Sequence, residues 1–184
     1  MESLPLGVFR MLRHLTRLKL DNNRLTRLSE ASFDGLTSLV YLSLNLNLIA
    51  AVDAPVWYKM PALVTLSLED NLLVDGRLRI PPRALSRLEE LRLNRNQLRQ
   101  LSYDITSGAP HLRRLYFRSN GVETLPQGVF RATPRLDVVD LSANNISRLT
   151  SQAFNGESTF DSFTPTIFCD KPSAKTNSNS MARH

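Results

Sequence analysis

The 184-residue chain has little of what most small folds use for crosslinks, metal sites and catalysis. It holds one cysteine, Cys169, so no internal disulfide can form and the thiols do not indicate a compartment. No histidine or asparagine motif surrounds Cys169, which argues against a thiol nucleophile. The three histidines, His14, His111 and His184, lie far apart and join no cysteine or acidic cluster, so no metal is expected. There is no glycine-rich phosphate loop. The adjacent carboxylates Glu89 and Glu90 fall where a strand is expected, and neighbours on a strand face opposite ways, so they do not form an acid–base pair. No apolar run is long enough to span a membrane, and no charged-then-apolar leader follows Met1. With only seven glycines, the turns must be built from other residues, chiefly asparagine and proline. These absences point to a chain that is not an enzyme and carries no cofactor.

What the sequence does have is repetition. Residues 136–149 read LDVVDLSANNISRL, with apolar residues at 136, 139, 141, 146 and 149 and Asn144 between the third and fourth. The same pattern starts at Leu15, Leu39, Leu63, Leu88 and Leu112, in steps of 24, 24, 25, 24 and 24 residues. Unrelated amphipathic helices would place apolar residues at 3.6-residue intervals without a recurrent asparagine. Each unit therefore predicts one short strand, with Leu18 and Leu20 facing inward in the first unit and the residues between them facing outward. Asn23, Asn47, Asn71, Asn96, Asn120 and Asn144 occupy the turn after each strand. A side-chain amide at that point can satisfy backbone groups that the turn leaves unpaired, and repetition makes these asparagines a continuous structural ladder. No unit can bury its apolar face alone, so the core must come from stacking.

The second half of each unit is also patterned. Phe9, Phe33, Phe130 and Phe154 share one phase, Leu12 and Leu36 follow the first two by three residues, and Trp57 and Met60 replace the pair in the second unit. All are expected in the core beneath the outer wall. The strand signature L-x-x-L-x-L-x-x-N-x-L with this outer half resembles the typical 24-residue leucine-rich repeats of extracellular proteins and receptor ectodomains, the Toll-type, Slit-like and small leucine-rich proteoglycan groups. The resemblance covers residues 1 to about 159. It implies an α/β leucine-rich repeat solenoid: a horseshoe with a parallel inner sheet, an irregular or short-helical outer face, and six full repeats plus partial end repeats. The coil is expected to be right-handed, by the rule for parallel crossovers.

Three regions follow from the pattern: a solenoid over 1–159, a degenerate terminal repeat over 160–170 and a polar, disordered tail over 171–184. Residues 1–14 match the back half of a repeat, with Leu4, Phe9 and Leu12 each 24 residues before Leu28, Phe33 and Leu36. Phe160 and Phe163 fall 24 residues after Leu136 and Val139, which places the seventh strand around them. Extracellular relatives usually carry cysteine-paired caps, and the string IFCDKP around Cys169 resembles the opening of one without its partners. The ends are those expected of a piece of a longer secreted or cell-surface protein. A cytoplasmic protein of the same repeats, which needs no disulfides, is the competing reading. One acceptor sequon, Asn145-Ile146-Ser147, would carry a glycan on the flank of a secreted chain.

The repeat register also enumerates the outward strand pairs: Arg17/Lys19, Tyr41/Ser43, Thr65/Ser67, Glu90/Arg92, Arg114/Tyr116 and Val138/Asp140. Arg92, Arg114 and Tyr116 should stack on adjoining strands, with Arg95 and Arg118 just past the strand ends and Arg113 just before one. Glu69, Asp70 and Asp140 flank the group. Arginine with tyrosine is the composition of a protein-contact centre, and guanidinium groups suit carboxylate, sulfate or phosphate. Arg92, Arg95, Arg114, Tyr116 and Arg118 are therefore the candidate partner-binding residues. The opposite possibility is internal pairing, for example Glu90 with Arg114 across neighbouring strands. A net charge of +6 favours an acidic partner. A protein with an acidic surface comes first and a sulfated glycan second; no nucleic acid is expected, because no aromatic stacking platform is evident. Changing the four arginines to Glu is expected to weaken binding and leave the fold intact. The function expected is non-catalytic protein or ligand recognition in a secreted or cell-surface protein. The alternatives are an intracellular adaptor or scaffold, and a repeat subunit that stabilises a separate enzyme.

Overall fold

The computed structural model describes residues 1–148, 153 and 166–168. Its strands are β1 (Arg17–Lys19), β2 (Arg27–Leu28), β3 (Tyr41–Ser43), β4 (Ala51–Val52), β5 (Thr65–Ser67), β6 (Glu90–Arg92), β7 (Arg114–Tyr116), β8 (Val138–Asp140) and β9 (Thr166–Phe168). Seven of them form one parallel sheet in the order β1-β3-β5-β6-β7-β8-β9, and β2 pairs with β4 in a small second sheet. Each strand lies beside the one a single turn away, with Leu18, Leu42, Leu66, Leu91, Leu115 and Val139 opposite one another in succession. The outer face is built from 3-10 segments at Glu30–Phe33 and Ala54–Lys59, one α-helical turn, α1, at Tyr103–Thr106, and irregular chain. This is the parallel-sheet solenoid that the resemblance to leucine-rich repeats implies.

The core is a stack of corresponding layers, one from each turn. Leu42, Leu66, Leu91, Leu115 and Val139 are fully buried, as are Phe33, Leu36, Trp57 and Met60 under the outer wall. The Trp57 indole N–H donates to the Arg79 carbonyl oxygen at 2.8 Å, so the largest buried side chain keeps its polar handle satisfied. The fourth turn departs from the aromatic phase. Thr106 takes the place of phenylalanine, is buried, and donates its hydroxyl to the Val129 carbonyl oxygen at 2.8 Å. Leu12 departs from expectation too: it is 45% exposed. Phe154 lies outside the described residues.

The asparagine ladder joins every turn to the one before. Asn71 accepts from the Ile49 backbone N–H at 3.0 Å and donates to the Leu44 and Leu68 carbonyls at 3.0 and 3.1 Å. Asn47, Asn96, Asn120 and Asn144 repeat this geometry. Asn23 keeps only the local bonds to Leu20 and Asp21. The residue before each ladder asparagine (Asn22, Leu46, Asp70, Arg95, Ser119 and Ala143) has φ between +53 and +56 degrees, and none is glycine.

The seventh strand differs in position from the sequence spacing. β9 pairs with β8 so that Ile167 lies opposite Val139, 28 residues on rather than 24. The last turn is therefore three to four residues longer than its predecessors, and Ile167 supplies the apolar contact assigned from spacing to Phe163. Phe160, Phe163, Cys169 and the segment 171–184 lie outside the described residues.

Two outcomes follow for stability. Asn71→Ala strands one buried N–H and two carbonyls and should cost about 3 kcal/mol, whereas Asn23→Ala should cost about 1 kcal/mol or less; urea unfolding midpoints separate the two. Leu46 is exposed in a left-handed conformation that disfavours a branched side chain, so Leu46→Asn should raise stability by up to about 1 kcal/mol in the same assay.

Candidate partner-binding face

The outward strand positions form two columns. Arg17, Tyr41, Thr65, Glu90, Arg114, Val138 and Thr166 lie in one, and Lys19, Ser43, Ser67, Arg92, Tyr116, Asp140 and Phe168 in the other. Outward does not mean accessible throughout. Ser43 and Ser67 are buried, because residues just past the preceding strands reach over them. The Ser43 hydroxyl donates to Asp21, and the Ser67 hydroxyl donates to the Asn45 Oδ1 at 2.7 Å. Asp21 and Asn45 also accept the backbone N–H groups of Asn45 and Glu69, both at 2.8 Å. The Asn94 side chain continues this second polar column, donating to Glu69 at 2.8 Å and accepting from the Arg118 N–H at 2.7 Å. Its signal in the sequence is a polar residue two positions past each strand, at 21, 45, 69, 94, 118 and 142.

The arginine group is assembled as the register implies, but around a carboxylate. Glu90 is only 8% exposed. It accepts from Arg92 on its own strand and from the Arg114 Nε at 2.7 Å on the next. Burial works against the Glu90 charge, yet the hydrogen bonds from Arg114 and Arg92 outweigh it and hold the carboxyl below the usual carboxylate range. The Arg92 guanidinium also lies 4.9 Å from the centre of the Tyr116 ring. Arg95 forms a two-pronged pair with Asp70, at 2.6 and 2.7 Å, with Glu69 3.6 Å away. Arg113 bridges Asp137 at 3.3 Å and Glu89 at 3.9 Å. Arg118 is exposed and makes no ion pair among the described residues.

Three of the five candidate residues, Arg92, Arg114 and Tyr116, thus form one network with Glu90, whereas Arg95 pairs with Asp70 and Glu69 and Arg118 lies exposed past the strand end. Internal pairing of Glu90 with Arg114 is realised. The expectation that charge reversal at all four arginines spares the fold is corrected here: Glu at 92 and 114 would place two more carboxylates against buried Glu90. A second cluster of similar composition lies at the β1 end of the sheet. Arg17 and Lys19 sit 4.6 and 5.9 Å from the Tyr41 ring centre, with no carboxylate paired to either among the described residues. Asn145 is exposed. No group of three or more His, Cys, Asp or Glu among the described residues is placed to hold a metal ion, and no described helix is long and apolar enough to cross a membrane.

The Glu90 network predicts a pH signature. A carboxyl held low in the folded state stabilises above its unfolded value of about 4.3 and loses that contribution as pH falls through the folded value. Glu90→Gln should cost about 2 kcal/mol at pH 7, between the values for exposed and fully buried pairs. The gap between the variant and the parent should start to narrow as pH falls through about 4.3 and close once pH is below the folded value; urea midpoints taken stepwise from pH 7 downward check this.

Comparison with known proteins agrees with the geometry. A family model described as "Leucine rich repeat" matches residues 5–73 and 110–159. Fibromodulin of Oryctolagus cuniculus is 30% identical over 148 residues, covering 79% of this chain and 81% of that one. Keratocan of Danio rerio is 28% identical over 167 residues, covering 76% of this chain, which spans 46% of keratocan's length. A probable glycoprotein hormone G-protein coupled receptor of Anthopleura elegantissima is 26% identical over 160 residues, 17% of its length. Among solved structures, a chain of the crystallised TLR13–ssRNA13 complex superposes with a TM-score of 0.70 at 29% identity, covering 80% of this chain and 21% of that one. With the family model matching more than half of its length and a relative at 30% identity along most of it, the chain belongs to the leucine-rich repeat family.

Proposed function

We propose that the chain is a non-catalytic recognition module of a secreted or cell-surface protein, and that it binds a protein with an acidic surface through the inner sheet around Tyr116. One observation carries this reading: Tyr116 is half-buried on the inner face, fixed against Arg92 and beside Arg114. A tyrosine so held loses little further freedom on binding. The Glu90 pairs fix the guanidinium groups and leave their outer N–H groups toward solvent, since Arg92 and Arg114 keep 43% and 41% of their side-chain area exposed. Arg118 and Arg95 extend the positive rim at the strand ends. The exposed Asn145 fits a glycan acceptor on such a chain. Fibromodulin, keratocan and the receptor relative support recognition over catalysis and an extracellular or surface setting.

The test compares three baits: the parent chain, Tyr116→Ala/Arg118→Ala, and Tyr41→Ala/Arg17→Ala. Each is crosslinked to proteins of conditioned medium and, separately, of cytosol, and the affinity of any captured protein is then measured. A secreted or surface partner should bind the parent and lose about 30-fold in affinity with the first variant. Loss only with the second moves the contact to the Arg17–Lys19–Tyr41 cluster. A partner found only in cytosol favours an intracellular adaptor, and co-capture of an enzyme with unchanged affinity for all three baits favours a scaffold subunit. The TLR13 relative is in complex with single-stranded RNA, so an RNA oligonucleotide belongs in the assay as a competitor.

A further inference from the structure

A second site lies away from the inner sheet, at the rim where the strands of turns four to six begin. A cleft of about 270 Å³ is lined by Val64, Ser86, Arg87, Glu89, His111, Arg113 and Arg135. Its construction follows from the repeat. Arg87, His111 and Arg135 hold the same place in three successive turns, each immediately before the leucine that opens the repeat. Val64, Glu89, Arg113 and Asp137 form the adjoining column, stitched by backbone bonds of 2.7 to 2.9 Å from Glu89 to Val64, Arg113 to Glu89 and Asp137 to Arg113. Neighbouring turns are about 5 Å apart, so the first column spans about 10 Å of rigid scaffold. The His111 ring is anchored by its Nδ1 against the Ser86 carbonyl oxygen at 2.6 Å.

The charge of the cleft selects its ligand. Arg92, Arg95 and Arg114 on the inner face are all paired with carboxylates, whereas Arg87 and Arg135 make no ion pair among the described residues. Three guanidinium groups face Glu89 and the nearby Asp137, and Arg113 is shared between those two carboxylates. Each of the two unpaired guanidinium groups can take one singly charged sulfate ester, whereas a phosphate monoester, at about −1.5 to −2 near neutrality, would bring a second charge toward Glu89 and Asp137 at each position. No Phe, Tyr or Trp lines the cleft, and its one aromatic ring, the imidazole of His111, is tied to the Ser86 carbonyl, so the run of stacking platforms that single-stranded nucleic acid uses is missing there. We infer that this rim cleft binds a sulfated glycan strand, with Arg87 and Arg135 contacting sulfate groups on either side of the anchored His111. This site is separate from the protein-binding face proposed above, and either can fail without the other.

The test uses the full chain and a heparin-derived hexasaccharide in isothermal titration, alongside the chemically desulfated hexasaccharide and a single-stranded RNA of similar charge. Two double variants remove the same charge. Arg87→Ala/Arg135→Ala changes the cleft, and Arg24→Ala/Arg148→Ala changes exposed arginines elsewhere. The sulfated hexasaccharide should bind the parent, lose tenfold or more with the cleft variant and show a shallower salt dependence there. It should bind the control variant within about twofold of the parent, a factor worth less than about 0.5 kcal/mol. Unfolding midpoints of both variants should stay near the parent value, because neither cleft arginine supports the fold through an ion pair. Equal weakening by the two variants, undiminished binding of the desulfated sugar, or tighter binding of RNA at the same cleft would each overturn the assignment.

Discussion

The structure depends on one kind of interaction, the side-chain amide that bonds forward and backward across a turn. Each ladder asparagine beyond the first accepts from a backbone N–H of the preceding repeat and donates to carbonyls of both. The turn it serves is too tight to satisfy its own polar groups and lies in a region closed to water. Every other regularity is tied to this bond. It fixes where the strand ends, it holds the preceding residue in the left-handed region, and it sets which positions of the strand face in and which face out. Leucine packing fills the interior that results; the asparagines hold it at a constant step.

The inner-face columns inherit their precision from that step. A surface built this way offers side chains on a rigid lattice with one variable pair per turn, and adjacent turns can be given related or opposed charges. Here turns four and five use the lattice to bury a carboxylate among arginines, turn one sets two cations against a tyrosine, and turns two and three cover their serines with polar neighbours. The result is an inner face whose arginine–tyrosine groups lie on the first two strands and on the fourth and fifth, with the covered serines between them.

The sequence made the lattice legible because repetition multiplies a weak local signal. The pairing of Leu66 with Leu91 across the 25-residue step, and the facing of Glu90 toward Arg114, follow from counting. Counting could not show which cations remain unpaired. That depends on side-chain reach, and Arg95 stretches back to Asp70 while Arg118, one turn on, finds no carboxylate among the described residues. It also could not anticipate β9, since the last turn is longer and its strand residue, Ile167, carries no leucine pattern around it. The polar column at 21, 45, 69 and 94 was visible as a spacing, but its chemistry varies among Asp, Asn and Glu, so no single residue type marked it. The rim cleft was hidden for a similar reason: Arg87, His111 and Arg135 are chemically mixed and precede the motif.

The spacing of the ladder bonds has a mechanical consequence. Each joins residues 22 to 28 apart in sequence, and those across neighbouring turns never reach a third. A pull on the two ends loads these bonds one turn at a time, like the teeth of a zip. Each release frees one repeat of contour, roughly 80 Å of extended chain, while the turns behind it stay folded. The molecule would lengthen under load in even steps, and the size of the step is already written in the 24-residue count of its asparagines.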